Sequence, residues 1–158
     1  MNFKSIFFSN IGWLKIEGTE DYITSLSFQK DEPEPSTAHG NWHNPLIEQL
    51  NAYFDAQCYV FDLPLQPKGT AFQQKVWREL LKIPYGQTIS YWELSQRLGD
   101  VKAIRAAASA NGKNPIPLLI PCHRVIGKDG SLTGFSAGLD RKKYLLELEK
   151  GIQSLTLF

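Results

Sequence analysis

The hydrophobic residues change their period part-way along the chain, at the segment LPLQPKG (63–69). Before it, the runs SIFF, WLKIEG and YITSLSFQ lie within residues 3–29 and are rich in β-branched and aromatic side chains. Thr24, Leu26 and Phe28 alternate with polar neighbours, although Ile23 breaks the count. Such runs imply a small antiparallel sheet. KDEPEPSTAHGN (30–41) is a polar loop, and Asn44–Pro45 marks a helix start with proline at the first helical position. Leu46, Leu50, Tyr53 and Phe54 give that helix one apolar face.

After the break the punctuation is helical. Thr70 with Gln73 forms a capping box that opens a helix striped by Phe72, Val76 and Leu80, and Pro84, Tyr85 and Gly86 end it. Ser90 with Glu93 is a second capping box, closed by Gly99, and a third helix follows over 102–111 until Asn114–Pro115 stops it. Lys128–Ser131 reads as a hairpin turn, and a last helix runs over 140–150 to Gly151. The expected fold class is α+β. A small N-terminal antiparallel sheet with a helix (1–66) precedes a mainly helical, winged helix-turn-helix-like part (67–158).

Composition narrows the class of function. Hydrophobic content of 42% and charged content of 21% suit a globular chain of 158 residues. No apolar run reaches the roughly 18–20 residues that cross a bilayer, and the N-terminus does not read as a signal peptide, so an intracellular place is expected, cytoplasmic or nuclear. Two cysteines, Cys58 and Cys122, without CxxC spacing argue against a disulfide scaffold and a cysteine-rich zinc site. Charge is uneven: residues 1–62 carry 3 Lys/Arg against 9 Asp/Glu, whereas residues 63–158 carry 14 against 7. A basic half on a nearly neutral chain points to an anionic partner held on one side, with two oppositely charged domains facing each other as the alternative.

AIRAAASANG (103–112) presents Ala and Ser around the single Arg105. Small side chains let another backbone approach, either a helix of the core or a nucleic-acid groove. Over residues 97–128, six Lys or Arg accompany only Asp100, which favours phosphate contact. Arg105 is then the one long side chain able to enter a base stack.

In IPLLIPCHRVIG (116–127), Cys122 stands beside His123. A thiol attacks only as thiolate, and its ordinary pKa leaves a few per cent ionised at neutral pH, so a base is needed. Neighbours on an extended segment point to opposite faces; a Cys122–His123 partnership therefore requires a turn or one bridging water. A histidine base is commonly fixed by a third group. Lys142, Leu145, Leu146 and Glu149 share one helix face, which places Glu149 inward with two leucines and makes His123 a fitting partner for its carboxylate.

PCHRV (121–125) resembles the active-site motif of the O6-alkylguanine-DNA alkyltransferases, or methylated-DNA–protein-cysteine methyltransferases. GTAFQQKVWRELLKIPYGQTISYWEL, NP (114–115), PCHRVIG and KKYLLELE stand in that family's order and spacing over about 70–149. The resemblance implies repair of duplex DNA by transfer of the alkyl group of O6-alkylguanine, and of O4-alkylthymine, to Cys122 in a single turnover. It implies that His123 acts through water and Glu149 orients it. Tyr91 helps turn the nucleotide and protonate the departing base. Arg105, with Ala106 beside it on the groove-facing helix, fills the space the base vacates. Asn114 braces the turn near the cysteine; the Val125 carbonyl and the Ser136 N–H read the guanine. No cofactor or protein partner is implied, and a monomer is expected; some family members bind zinc through the N-terminal domain, but Cys58, His39 and His43 do not form a convincing ligand set, so no metal is expected.

Departures from the pattern are the run Ala106, Ala107, Ala108, Ser109 after Arg105, Phe135 for a common tyrosine and Ala137 for a common glycine. They bear on efficiency and on tolerance of bulky adducts. The alternatives are a non-enzymatic protein that binds alkylated lesions, a cysteine hydrolase of small substrates, and a transcription factor that uses the helix pair.

Overall fold

The computed structural model describes residues 2–36, 38–135 and 137–151. Strands β1 (Phe3–Ser9), β2 (Gly12–Gly18) and β3 (Ile23–Gln29) form an antiparallel sheet in the order β1-β2-β3. The irregular count at Ile23 has a physical cause. Glu17 pairs with Ser25 and Gly18 with Ile23, so Thr24 is the extra residue of a β-bulge. The bulge brings Ile23, opposite Gly18, onto the buried face with Leu26, which pairs with the buried Ile16 of β2. Phe28 is only partly buried.

Helix α1 (His43–Phe54) buries Leu46, Leu50 and Tyr53. It begins two residues before the expected start, with Trp42 as N-cap, so Pro45 sits third rather than first. Its missing N–H costs nothing there, because the first-turn donors have no intrahelical acceptor. Residues 63–69 are tied to β3: Ile23 donates to the Pro64 carbonyl and Gln66 donates back to the Ile23 carbonyl.

Helix α2 (Ala71–Leu80) opens on the complete Thr70–Gln73 capping box. Val76 and Leu80 are buried as expected, but Phe72 is exposed and Trp77 takes its place inside. The indole explains the choice: its Nε1–H donates to the Ala110 carbonyl at 2.9 Å, a partner that phenylalanine lacks. Strand β4 (Ile89–Ser90) leads into helix α3 (Tyr91–Arg97), where Ser90 accepts from the Glu93 N–H. The third helix is split into a 3-10 turn, Val101–Ala103, and helix α4 (Ile104–Gly112).

The small-residue helix has two distinct faces. Ala107 and Ala110 are buried in the core, whereas Arg105, Ala106 and Ser109 are exposed.

A 3-10 turn, Cys122–Arg124, follows, and then strand β5 (Val125–Ile126), which pairs with β4 in parallel. Residues 128–131 turn as expected, with Gly127 donating to Ser131, but no strand hairpin flanks them among the described residues, because β5 is spent on β4. Helix α5 (Leu139–Glu149) closes the described fold. One apolar cluster runs from Leu14 and Leu50 through Trp77 and Leu94 to Val125 and Leu145. No helix among the described residues is long and apolar enough to cross a membrane.

The capping box supports a test of this architecture away from any chemistry. Thr70→Ala removes the acceptor for the Gln73 N–H and is expected to lower unfolding free energy by about 1 kcal/mol. Urea unfolding measures this; an unchanged midpoint contradicts it.

Candidate active site

The 3-10 turn supplies the bend that a neighbouring Cys–His pair requires. It starts after Pro121, whose φ is −80°, and Cys122, His123 and Arg124 are all buried. No direct hydrogen bond joins Cys122 to His123 among the described residues. Instead, His123 Nε2 lies 2.6 Å from Glu149 Oε2, while its buried Nδ1 has no hydrogen-bond partner among the described residues.

Helix α5 brings its acid inward as its periodicity implies: Lys142, Leu145, Leu146 and Glu149 are its buried residues. The Glu149 carboxylate gathers donors from three segments. Arg124 donates from Nε to Oε1 at 2.8 Å and from its terminal nitrogen to Oε2 at 3.1 Å. The Tyr53 hydroxyl of α1 donates to Oε2 at 2.6 Å, and the Gly86 N–H to Oε1 at 3.4 Å. Gly86 has φ of +80°, and a Cβ there would meet the Glu149 carbonyl at 3.1 Å, so the turn that donates to the acid requires glycine.

These contacts fix the charges. Burial opposes ionisation of Glu149, but the His123 and Arg124 partners outweigh it and hold the carboxyl well below the usual carboxylate range. Burial lowers the His123 pKa and Glu149 opposes that effect. A neutral ring beside an ionised carboxylate carries its proton on Nε2, which leaves a lone pair on Nδ1. Burial pushes the Cys122 thiol up to about 11, with a hydrogen bond from Asn114 and the charge of Lys142 pulling the other way. At rest the proton is therefore on sulfur.

Around the thiol, Asn114 donates to the Ile120 carbonyl at 2.8 Å and accepts from the Ile116 N–H, which braces the turn. Asn111 of α4 donates to the Cys122 carbonyl at 3.4 Å. The Val125 carbonyl accepts from Lys142 Nζ at 2.6 Å, and Thr133 accepts from the same nitrogen. Burial takes the Lys142 ammonium down to about 8, against the influence of Cys122. Tyr91 lies beside this group; its hydroxyl donates to the Thr133 carbonyl at 2.9 Å, and burial raises its pKa. A cavity of about 620 Å³ opens here, lined by Tyr91, Arg105, Ala108, Gly134 and Phe135 among others.

Residues 71–151 match the family described as 6-O-methylguanine DNA methyltransferase, DNA binding domain. The chain is 46% identical to a methylated-DNA–protein-cysteine methyltransferase of Mycobacterium tuberculosis, over 95% of this chain and 94% of that protein. It is 41% identical to the Haemophilus influenzae protein of the same name, over 90% and 83%. The chain belongs to the methylated-DNA–protein-cysteine methyltransferase family. The crystal structure of the M. tuberculosis O6-methylguanine methyltransferase superposes with a TM-score of 0.86 at 42% identity, covering 99% of this chain and 97% of that one. The M. tuberculosis relative crystallised with DNA gives 0.84 at 44% identity, covering 92% and 91%. The expected α+β class is that of the family.

Cys122, His123, Glu149, Asn114 and Val125 cluster within one buried region, with Tyr91 at its edge, while Arg105 and Ala106 stand on the exposed face of α4. Ser136 lies outside the described residues. Sequence reasoning counted Arg124 among the basic residues of the surface, but its guanidinium is inside, on Glu149. It missed Tyr53 as a polar partner and Lys142 as a buried cation. The signal for Lys142 was present, since it shared the inward face with Glu149; Tyr53 read only as an apolar-face residue. Among the described residues no three His, Cys, Asp or Glu side chains gather to hold a metal ion.

Glu149 also links the site to stability. A carboxyl depressed in the folded state stabilises the fold above its ordinary value of 4.5, and that contribution is lost as pH falls toward the folded value. Glu149→Gln leaves Arg124 buried without its counter-charge and is expected to cost about 3 kcal/mol at neutral pH. In urea unfolding, the gap between wild type and variant should shrink as pH falls below 5; a gap that stays constant with pH contradicts the assignment.

Proposed function

We propose that this chain repairs alkylated DNA by direct, stoichiometric transfer of the alkyl group of O6-alkylguanine, and of O4-alkylthymine, to Cys122. The observation that carries this reading is the Cys122–His123 turn locked onto Glu149, next to a cavity rimmed by Tyr91 and Arg105. Duplex DNA hides the base edge, so the damaged nucleotide must leave the stack at a cost of a few kcal/mol. Helix α4, with exposed Arg105 and Ala106, lies in the minor groove. Arg105 takes the place of the extruded base, which enters the cavity past Tyr91. The Val125 carbonyl, which has a second lone pair beyond that used by Lys142, reads the guanine amino group, and the Ser136 N–H reads its oxygen.

The chemistry is a displacement at carbon. One water carries the thiol proton to the bare Nδ1 of His123, and the resulting imidazolium is stabilised by Glu149. The sulfur then forms a bond to the alkyl carbon as the carbon–oxygen bond breaks. Tyr91 supplies a proton to the departing guanine anion, and the proton taken up by His123 then returns through water to the tyrosinate, so both side chains end neutral and the count closes. The product is a thioether. It offers water no acyl centre, and a second thiol cannot open it by disulfide exchange, so each molecule acts once.

The 1–66 part supports the turn and the acid, and the 67–158 part carries the DNA contacts. The protein works as a monomer, inside the cell where its substrate lies. No cofactor enters the chemistry.

Incubation with excess duplex bearing O6-methylguanine is expected to add one methyl group per molecule, mapped to Cys122 by mass spectrometry and abolished in Cys122→Ser. Turnover beyond one equivalent, or a methyl on Cys58, contradicts the reading. Binding without transfer favours the lesion-binding alternative. Arg105→Ala is expected to slow transfer from duplex DNA by about tenfold or more while sparing transfer from the free modified base; comparison of the two substrates by single-turnover kinetics checks this.

A further inference from the structure

Helix α1 belongs to the part of the chain farthest in sequence from the chemistry, yet it places one hydroxyl on the catalytic carboxylate. Tyr53 is 1% exposed, and its hydroxyl lies 2.6 Å from Glu149 Oε2, across 96 residues of sequence. The same oxygen meets His123 Nε2 at 2.6 Å and an Arg124 nitrogen at 3.1 Å. A carboxylate oxygen has two in-plane lone pairs, so three donors compete for it. We propose that Tyr53 is a positioning residue for the alkyl transfer: its hydroxyl pins the Glu149 oxygen that holds His123 and withdraws part of that oxygen's charge. The proposal rests on the alkyl-transfer reading above.

Packing alone does not account for a tyrosine here. The ring sits among Phe54, Phe61 and Tyr85, with centroids 5.3, 5.2 and 6.2 Å away, a setting that phenylalanine fills equally well. The hydroxyl adds a polar group that must be desolvated, and its hydrogen-bond partner among the described residues is Glu149. It stays a donor over the working pH range, because burial and then Glu149 raise its own pKa.

Two functions follow from the geometry. Arg124 can hold the whole carboxylate as a bidentate pair, and the Tyr53 contact fixes where Oε2 points while it does so. A donor on Oε2 also makes the carboxylate a weaker stabiliser of the imidazolium, which keeps His123 neutral at rest. The charged and titratable groups that face His123 are Glu149, Arg124 and Lys142, and those that face Tyr53 are Glu149, Arg124 and Tyr85. Tyr53 is the one of these contributed by α1.

The test is Tyr53→Phe in the full chain, with single-turnover methyl transfer from O6-methylguanine duplex measured as a function of pH. Rates are normalised to the folded fraction, so loss of fold neither lowers the plateau nor moves the titration. Removal of the donor leaves Oε2 more negative and favours the imidazolium. The acid limb should therefore move to higher pH by about half a unit, and the plateau should fall roughly 3- to 10-fold. Phe61→Leu, which disturbs the ring packing but keeps the hydroxyl, should leave the limb in place. A Tyr53→Phe limb that is unmoved or shifted to lower pH overturns the proposal, as does an equal shift in Phe61→Leu. If the wild-type chain itself places no methyl on Cys122, the alkyl-transfer reading fails; a wild type that transfers normally beside an unshifted Tyr53→Phe sinks this inference alone.

Discussion

A single buried carboxylate ties this molecule together. Glu149 is reached by a tyrosine from α1, a backbone N–H from the turn after α2, and the histidine and arginine of the 3-10 turn. An ionised acid in the interior is expensive unless its lone pairs are filled, and here the donors come from three separate stretches of chain. The carboxylate can be satisfied only when the N-terminal helix, the α2–β4 turn, the Cys122 turn and the last helix have all reached their native places. The site is thus a closure condition for the fold as well as a piece of chemical machinery.

The same group sets the state of the surroundings of Cys122, the proposed nucleophile. His123 and Arg124 keep Glu149 charged, so in the proposed reaction the acid orients the ring, and the proton of the neutral imidazole is directed to Nε2. That leaves Nδ1 bare while Cys122 remains a protonated, buried thiol. In the proposed reaction such a thiol is a poor nucleophile until its proton has left through water to His123. Lys142 adds a positive charge beneath the same region, anchored on the Val125 and Thr133 carbonyls.

Much of this was legible in the sequence, for identifiable reasons. Capping boxes and glycine stops are local devices, so Thr70, Ser90 and Gly151 marked helix ends well. The i, i+3, i+4, i+7 spacing of Lys142, Leu145, Leu146 and Glu149 described an inward face even though it held two charges. What escaped was non-local. Arg124 looked like one more surface cation because nothing in the neighbouring residues reveals a partner 25 positions away. Trp77 displaced Phe72 because of a hydrogen bond to a carbonyl on another helix. The bulge at Thr24 is an exception to strand alternation that only pairing with β2 exposes. Tyr53 was placed on the right face but without its hydroxyl's role, since apolar periodicity does not distinguish tyrosine from phenylalanine.

The claim on which the account stands is that Glu149 fixes the tautomer of His123 and so leaves Nδ1 free to act for Cys122. Nitrogen-15 NMR of the His123 ring in the resting protein at neutral pH measures this directly. The expected result is a neutral imidazole with its proton on Nε2 and an unprotonated Nδ1. A ring protonated on Nδ1, or an imidazolium at rest, would contradict it.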